Sequence, residues 1–268
     1  VSLYKRIEKN NEFPANDKYY WGYQYNLGRE VLVPYLRKLG VFHNGDRVTE
    51  IGSAEGGVLA AFVEAGAKDA LATDIASNRL DMGEQIASFL NLPIDFKFHN
   101  ILNEDVPSEW ENAADLLILR DVIEHLDDTK YALKQIKEFI KPGGFLYVTF
   151  PPYYSPFGGH QHNLKNFWGK LPYLHFLPDI IFNKLISSGR DADIVEVKRL
   201  RNIRMTPSKF LQAAEETGYS VFRKDYYLLR PVFKMKFGLP AIKITPLASL
   251  PLVKDLFSLE ASYILQVK

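Results

Sequence analysis

The chain has 268 residues, 47% of them apolar and 24% charged, which suits one large domain or one domain carrying a sizeable insertion. A formal net charge of +1 makes no demand for a nucleic-acid partner, although Lys198, Arg199, Arg201 and Arg204 lie close together. Cysteine is absent, which excludes disulfides, thiolate catalysis and cysteine-ligated metals.

In chain order, residues 1–46 read as an N-terminal helical and aromatic arm, with Tyr19, Tyr20, Trp21, Tyr23 and Tyr25 grouped together. Its charged start lacks the apolar core of a secretory leader, and no apolar run has the length of a membrane span. A cytoplasmic protein with no stable membrane insertion is therefore expected. Leu32, Leu36 and Leu39 share one face of a helix over 28–39, with Pro34 in its first turn or at a kink. From residue 47 short apolar strands alternate with helical segments. Strands are predicted at 47–51, 70–74, 96–99, 115–119 and 145–150, and helices at 58–65, 79–90 and 129–140. Lys141-Pro142-Gly143-Gly144 separates the last helix from the last of these strands. Such alternation implies a parallel sheet covered on both faces.

Residues 151–205 break the rhythm with Pro151, Pro152, Pro156, Gly158, Gly159, Pro172 and Pro178, and read as a helical cap over the edge of the sheet. Thr206 and Pro207 then open a helix over 207–217, as N-cap and first residue. Residues 206–268 complete the sheet with two strands, 219–229 and 261–267, around an insertion at 231–260. Internal packing is the expected role of the apolar residues in that insertion, with a lid, a membrane contact or a dimer face as alternatives.

The densest chemical signal is Val48-Thr49-Glu50-Ile51-Gly52-Ser53-Ala54-Glu55-Gly56-Gly57, a strand running into glycines and then a helix, with Asp74 ending the next strand. Glycines let a backbone approach a ligand, a helix N-terminus offers unpaired N–H groups, and an acidic residue at the second strand can accept hydrogen bonds from a ribose. A nucleoside-containing cofactor is implied. Glu55 would oppose a pyrophosphate, which counts against a dinucleotide, whereas a sulfonium cofactor carries a positive centre and no phosphate.

With Leu119-Arg120-Asp121-Val122-Ile123-Glu124-His125-Leu126 and the Lys141–Gly144 turn added in the right order, the chain resembles a class I S-adenosylmethionine-dependent methyltransferase of the small-molecule and quinone-biosynthesis group. The resemblance is specific over residues 47–150 and looser over the closing strands. It implies an α/β, Rossmann-like, doubly wound sheet of seven strands with the last antiparallel, here with a helical cap insertion. It also implies S-adenosyl-L-methionine as cofactor and S-adenosyl-L-homocysteine as product. The implied cofactor residues are Glu50, Gly52, Ser53, Ala54, Gly56, Asp74, Ile75, Asn100, Ile101, Arg120 and Asp121. Glu50 and Gly52 would flank the methionine part, Asp74 would bind the ribose hydroxyls, and Ile75 would pack on adenine. Asn100 stands where relatives commonly carry an acidic residue for the adenine amino group, and its amide oxygen can still accept that bond.

Methyl transfer to a hydroxyl needs alignment with the sulfur–methyl bond and a route for the proton. His160 and His162, just after the fifth strand, are the candidate bases. Tyr20, Trp21, His125, Tyr153 and Tyr154 are candidate acceptor-binding residues, with Tyr19, Phe157 and Trp168 as further pocket aromatics. No metal is assigned, although His160 and His162 with Asp121 could ligate one. The expected acceptor is a small molecule methylated on oxygen, with no nucleic acid as partner, and the chain acts as a monomer or homodimer. N- or C-methylation and a non-catalytic S-adenosylmethionine-binding protein are the alternatives.

Overall fold

The structure is a computed structural model that describes residues 2–250 and 252–268. The aromatic arm is helical, comprising α1 (Leu3–Glu8) and α2 (Ala15–Leu27). A π-helical turn at Gly28–Leu32 then runs into α3 (Val33–Lys38). Pro34 has no N–H, and its ring crowds the carbonyl of Glu30 one turn back. Widening the preceding turn, with the Val33 N–H donating to the Gly28 carbonyl, relieves that contact without ending the helix.

The alternating region follows as β1 (Arg47–Ile51), α4 (Gly57–Glu64), β2 (Asp69–Asp74), α5 (Ser77–Leu90), β3 (Ile94–Phe98), β4 (Ala114–Arg120), α6 (Thr129–Phe139) and β5 (Ile140–Phe150). The Lys141–Gly144 segment lies within β5 rather than before it. The strand starts directly after α6, and its pairing with β4 slips between Ala114↔Ile140 and Leu116↔Phe145. Gly143, at φ +80°, supplies the bend.

The cap contains α7 (Asp179–Ile186) and α8 (Asp191–Ile203), preceded by short 3-10 turns, and has a small core of Leu164, Leu174, Phe182, Ile186 and Val197. It leaves and rejoins the sheet at one place, where the Tyr153 N–H donates to the Met205 carbonyl at 2.8 Å. The chain closes with α9 (Pro207–Glu216), β6 (Tyr219–Leu229), α10 (Val232–Phe237), β7 (Ile242–Lys243), α11 (Val253–Leu256) and β8 (Glu260–Val267). Thr206 caps α9 as expected, its hydroxyl accepting from the Lys209 N–H at 3.2 Å.

The sheet order is β3-β2-β1-β4-β5-β8-β6-β7, with β8 antiparallel to both β5 and β6. The sheet therefore has eight strands rather than seven. Two residues of the 231–260 insertion, Ile242 and Lys243, pair with Leu229 and Tyr227 and shield part of the open edge of β6. Much of that insertion is exposed, with Phe237, Leu250, Leu252 and Phe257 about half or more accessible, so internal packing does not describe it. No helix among the described residues is long and apolar enough to cross a membrane.

β4 sits at the centre of two cores. Leu117 and Leu119 pack with Leu133 and Ile136 of α6 and Phe210 of α9, while Leu116 and Ile118 pack with Leu36, Val58 and Phe62 on the other face. Alternation along one buried strand thus anchors both helical layers. It fixes one carboxyl edge where β1, β2, β4, β5 and β6 all end, and where β8 begins.

Candidate cofactor and acceptor site

At the end of β1 the chain turns through Gly52 at φ +74° and Gly56 at φ +70°. A Cβ on Gly52 would strike the Val122 side chain, so the position combines a left-handed backbone with no room for a methyl group. Ala54 is also left-handed, at φ +50°. The loop is tied to β2 by its own amides. The Gly52 and Ser53 N–H groups donate to the Thr73 carbonyl at 2.8 and 3.0 Å, and the Ala54 N–H donates to Asp74 Oδ2 at 2.8 Å. The Ala76 N–H reaches Asp74 Oδ1 at 2.9 Å. Asp74 is thereby fixed at the strand end, with lone pairs remaining on both oxygens.

These bonds bear on the cofactor. With the Gly52, Ser53 and Ala54 amides engaged internally, those three are not available to a phosphate. Glu55 is neutralised by a two-pronged pairing with Arg79 at 2.7 and 2.6 Å, so its charge does not by itself oppose a pyrophosphate. Glu50 is buried and its Oε2 has no partner within the protein. Burial pushes its carboxyl up to about 8, with Arg120 pulling down and Asp74 pushing further up. A buried carboxyl lacking a donor, beside a carboxylate with open lone pairs, fits a cofactor that brings a cationic methionine end and ribose hydroxyls. S-adenosyl-L-methionine has that set of groups.

Other expected cofactor residues are distributed unevenly. Ile75 is 65% exposed just past the end of β2, a position open to a flat apolar ligand. The Asn100 Oδ1 accepts from the Leu102 N–H at 3.1 Å, so the oxygen expected to meet adenine already holds a local turn. Ile101 is core, packed among residues such as Val106 and Leu117, because the turn after β3 points it inward. Ser53 is buried with its hydroxyl unpartnered.

A cavity of about 720 Å³ opens between the sheet edge, α2, the cap and α10, with Glu50, the Gly52–Gly56 turn, Asp74 and Ile75 outside its lining. Arg120 and Asp121 reach it from the end of β4. Arg120 donates to Gln24 Oε1 on α2 at 2.8 Å, and does not pair with Asp121 or Glu124. Arg230, just past β6, grips both Asp121 oxygens at 2.6 Å and Glu260 Oε2 at 3.0 Å. Burial alone would push the Asp121 carboxyl up, but the Arg230 and Arg120 guanidinium groups outweigh it and hold the carboxyl below its usual range. For Glu260 the balance reverses, and burial leaves it raised. Asp121 is held at φ +55°, a conformation that disfavours side chains and persists where surrounding contacts enforce it.

On the cap side stand Glu124, His125 and His160. The first two share the short turn after β4, and His160, at φ +53°, comes from the loop after β5. His125 Nε2 and His160 Nε2 each lie 3.8 Å from Glu124 Oε1. His125 Nδ1 lies 2.6 Å from Glu196 Oε1 of α8. Neither Glu124 oxygen has a hydrogen-bond partner within the protein. Burial, reinforced by Asp121, pushes the Glu124 carboxyl well up, while burial and the neighbouring histidines push His160 down to about 3. His162 stands at the cavity wall, where partial desolvation of its ring and the Arg230 and Lys236 cations push its pKa down.

The structure thus brings Arg120, Asp121, His125, His160 and His162 to one cavity. Of the expected acceptor residues only His125 lines it, and the other four, Tyr20, Trp21, Tyr153 and Tyr154, are placed elsewhere. Trp21 is fully buried and stacks on Tyr25 at 5.1 Å, because i, i+4 spacing puts both on the face of α2 that packs against α4. Tyr153 is buried edge-on against His175, with Tyr154 beside it, inside the cap. Tyr20 lies outside the cavity lining, near Arg79 at its rim. Residues not anticipated are Gln24, Tyr23, Phe233, Lys236 and above all Arg230. The available signal for Arg230 was its position just past a strand, mirroring Arg120.

The sequence model of a methyltransferase-domain family matches residues 23–221. Over 118 residues the chain is 27% identical to tRNA 5-carboxymethoxyuridine methyltransferase of Escherichia coli, covering 44% of this chain and 44% of that one. Over 105 residues it is 24% identical to ubiquinone biosynthesis O-methyltransferase of Chromobacterium violaceum, covering 39% of this chain and 44% of that one. The chain spans less than half the length of these curated relatives. Among solved structures, an S-adenosylmethionine-dependent methyltransferase from Mesorhizobium loti superposes with a TM-score of 0.55 at 14% identity, covering 87% of this chain and 96% of that one. One from Aquifex aeolicus gives 0.53 at 12%, covering 99% and 98%. At such identity the likeness shows the fold alone. Most of the chain, from α2 into β6, falls within the family match, and the chain belongs to the methyltransferase-domain family.

Proposed function

We propose that the chain is an S-adenosylmethionine-dependent methyltransferase that methylates an oxygen of a small-molecule acceptor. The observation that carries this reading is the single cavity in which the β4 end, beside the cofactor loop, faces the Glu124–His125–His160 cluster. Bound S-adenosylmethionine supplies an electrophilic methyl group on sulfur. Glu50 and the Gly52 turn hold its methionine end, Asp74 its ribose, and Ile75 its adenine, with Asn100 at the same edge. Phe157, Phe233 and Phe237 line the acceptor side and restrict water. His160 is the side chain that meets the acceptor hydroxyl, with His162 nearer the mouth.

A small acceptor is favoured over a nucleic acid because two members of the basic cluster, Arg199 and Arg201, are already paired within the protein. Arg199 binds Asp127 and Glu196, and Arg201 binds Asp179 and the His175 and Leu177 carbonyls. Such side chains are already engaged before any phosphate arrives. The test is transfer of an isotopically labelled methyl group from S-adenosylmethionine to a panel of hydroxyl, amine and carbon acceptors, with tRNA included. Label on oxygen of a small molecule is expected. Label only on nitrogen, carbon or tRNA, or calorimetric binding of NAD in place of S-adenosylmethionine, would reject the reading.

A further inference from the structure

We infer that Glu124, His125 and His160 form a site for a divalent first-row transition-metal ion, open to the acceptor cavity. Two imidazole nitrogens and one carboxylate oxygen lie within 4.8 Å of one another, on residues from two separate loops. A cation at about 2.1 Å from each donor needs neighbouring donors roughly 3–3.5 Å apart, so the two 3.8 Å His–Glu separations close with a small side-chain rotation.

Three further features distinguish the cluster from a packing accident. Glu124 is buried with both oxygens unpartnered, an arrangement that costs free energy unless something occupies its lone pairs. Glu196 accepts from His125 Nδ1, which leaves the Nε2 lone pair directed away from Glu196, as in the carboxylate–histidine–metal arrangement. Arg199 in turn holds Glu196 at 3.2 Å and Asp127 at 3.0 Å, so α8 of the cap fixes the ligand from behind. Asp121 is not part of the set, because Arg230 occupies both its oxygens.

The donor set of two nitrogens and one oxygen favours zinc, iron or cobalt over magnesium or calcium. His125 and His160 also line the cavity, so at least one coordination position faces the acceptor. This part of the inference rests on the proposed oxygen methylation. An acceptor hydroxyl brought to the ion loses its proton to solvent more readily. Its oxygen electron pair then forms the bond to the methyl carbon as the carbon–sulfur pair returns to sulfur, giving a neutral ether and S-adenosyl-L-homocysteine. His160 then serves as a ligand rather than as a proton acceptor.

The test uses the full chain, freed of metal by a chelator and titrated with Co²⁺, read by equilibrium dialysis and visible absorption. One equivalent per chain with ligand-field bands is expected. Glu124→Gln and His160→Ala should each abolish the bands while S-adenosylmethionine binding persists, and His43→Ala, at an exposed site remote from the cluster, should change neither. Glu196→Gln should weaken Co²⁺ about 10–100-fold. No stoichiometric Co²⁺ on the wild-type chain overturns the site without recourse to any variant, as do bands unchanged in both ligand variants. Metal binding without methylation of any hydroxyl supports the site and defeats the oxygen-transfer reading. Undiminished methylation by the metal-free chain defeats the cation's role and leaves that reading standing.

Discussion

The two halves of the carboxyl edge solve the same problem differently. Where β1 and β2 end, the pairings are between residues close along the chain, with Thr73 and Asp74 taking the loop amides and Arg79 taking Glu55, although Glu50 Oε2 and the Ser53 hydroxyl are left without a partner. Where β4, β5 and β6 end, charges are held by partners far along the chain, Arg230 to Asp121 and His125 to Glu196, or not held at all, as for Glu124. The first half is built to present one fixed set of groups. The second depends on the cap and the C-terminal strands arriving in place, which leaves it free to change with them.

The contrast is most severely tested at Arg230. Arg230→Met leaves Asp121 and Glu260 without a paired cation, and is expected to cost about 3 kcal/mol in urea unfolding. A loss below about 1 kcal/mol, the range of an exposed ion pair, would show that the acceptor half does not depend on distant pairing. In the cofactor half, Asp74→Ala removes an acceptor from two backbone amides and, on the proposed reading, from the ribose, and should weaken S-adenosylmethionine about 10–100-fold by calorimetry, equivalent to roughly 1.5–3 kcal/mol. Equal binding by the variant would remove Asp74 from the site.

Glu50 gives a pH signature. Its carboxyl keeps its proton in the folded chain up to about pH 8, while the unfolded chain releases it near the ordinary 4.5. The folded state therefore binds more protons across that window, and the Glu50 contribution makes stability fall as pH rises through it, by at most about 1.4 kcal/mol for each step of one in pH. Glu50→Gln should flatten the pH dependence of the urea midpoint between pH 5 and 8, and an unchanged slope would contradict a buried, protonated Glu50. The smallest effect lies outside both halves. Thr206→Ala should cost about 1 kcal/mol through the lost cap of α9, with no change in S-adenosylmethionine affinity. A change in affinity would mean that the region behind the cap is coupled to the cofactor half.

What could be read from the sequence follows the same division. β1, β2 and β4, the Gly52–Gly56 turn and the Thr206 cap depend on residues close together in the chain, and their patterns are visible as apolar runs, glycines and capping side chains. The Arg230–Asp121 pair spans 109 residues and the His125–Glu196 contact 71, so no local pattern encodes either. Glu55 misled for a related reason. Its charge is evident in sequence, but Arg79, which neutralises it, lies 24 residues on, past α4 and β2. Trp21 was ambiguous because an aromatic residue serves a core and a pocket equally well, and only the docking of α2 on α4 decides between them.

The hydrogen bond from Tyr153 to Met205 has a consequence beyond the present acceptor. More than fifty residues enter and leave the fold through a gap one hydrogen bond wide, and they carry their own apolar core. Such a segment can be lengthened, shortened or exchanged without disturbing the register of any strand. If this segment chooses the acceptor, as the proposed function has it, a graft between Tyr153 and Met205 should change acceptor preference while S-adenosylmethionine affinity stays as it is.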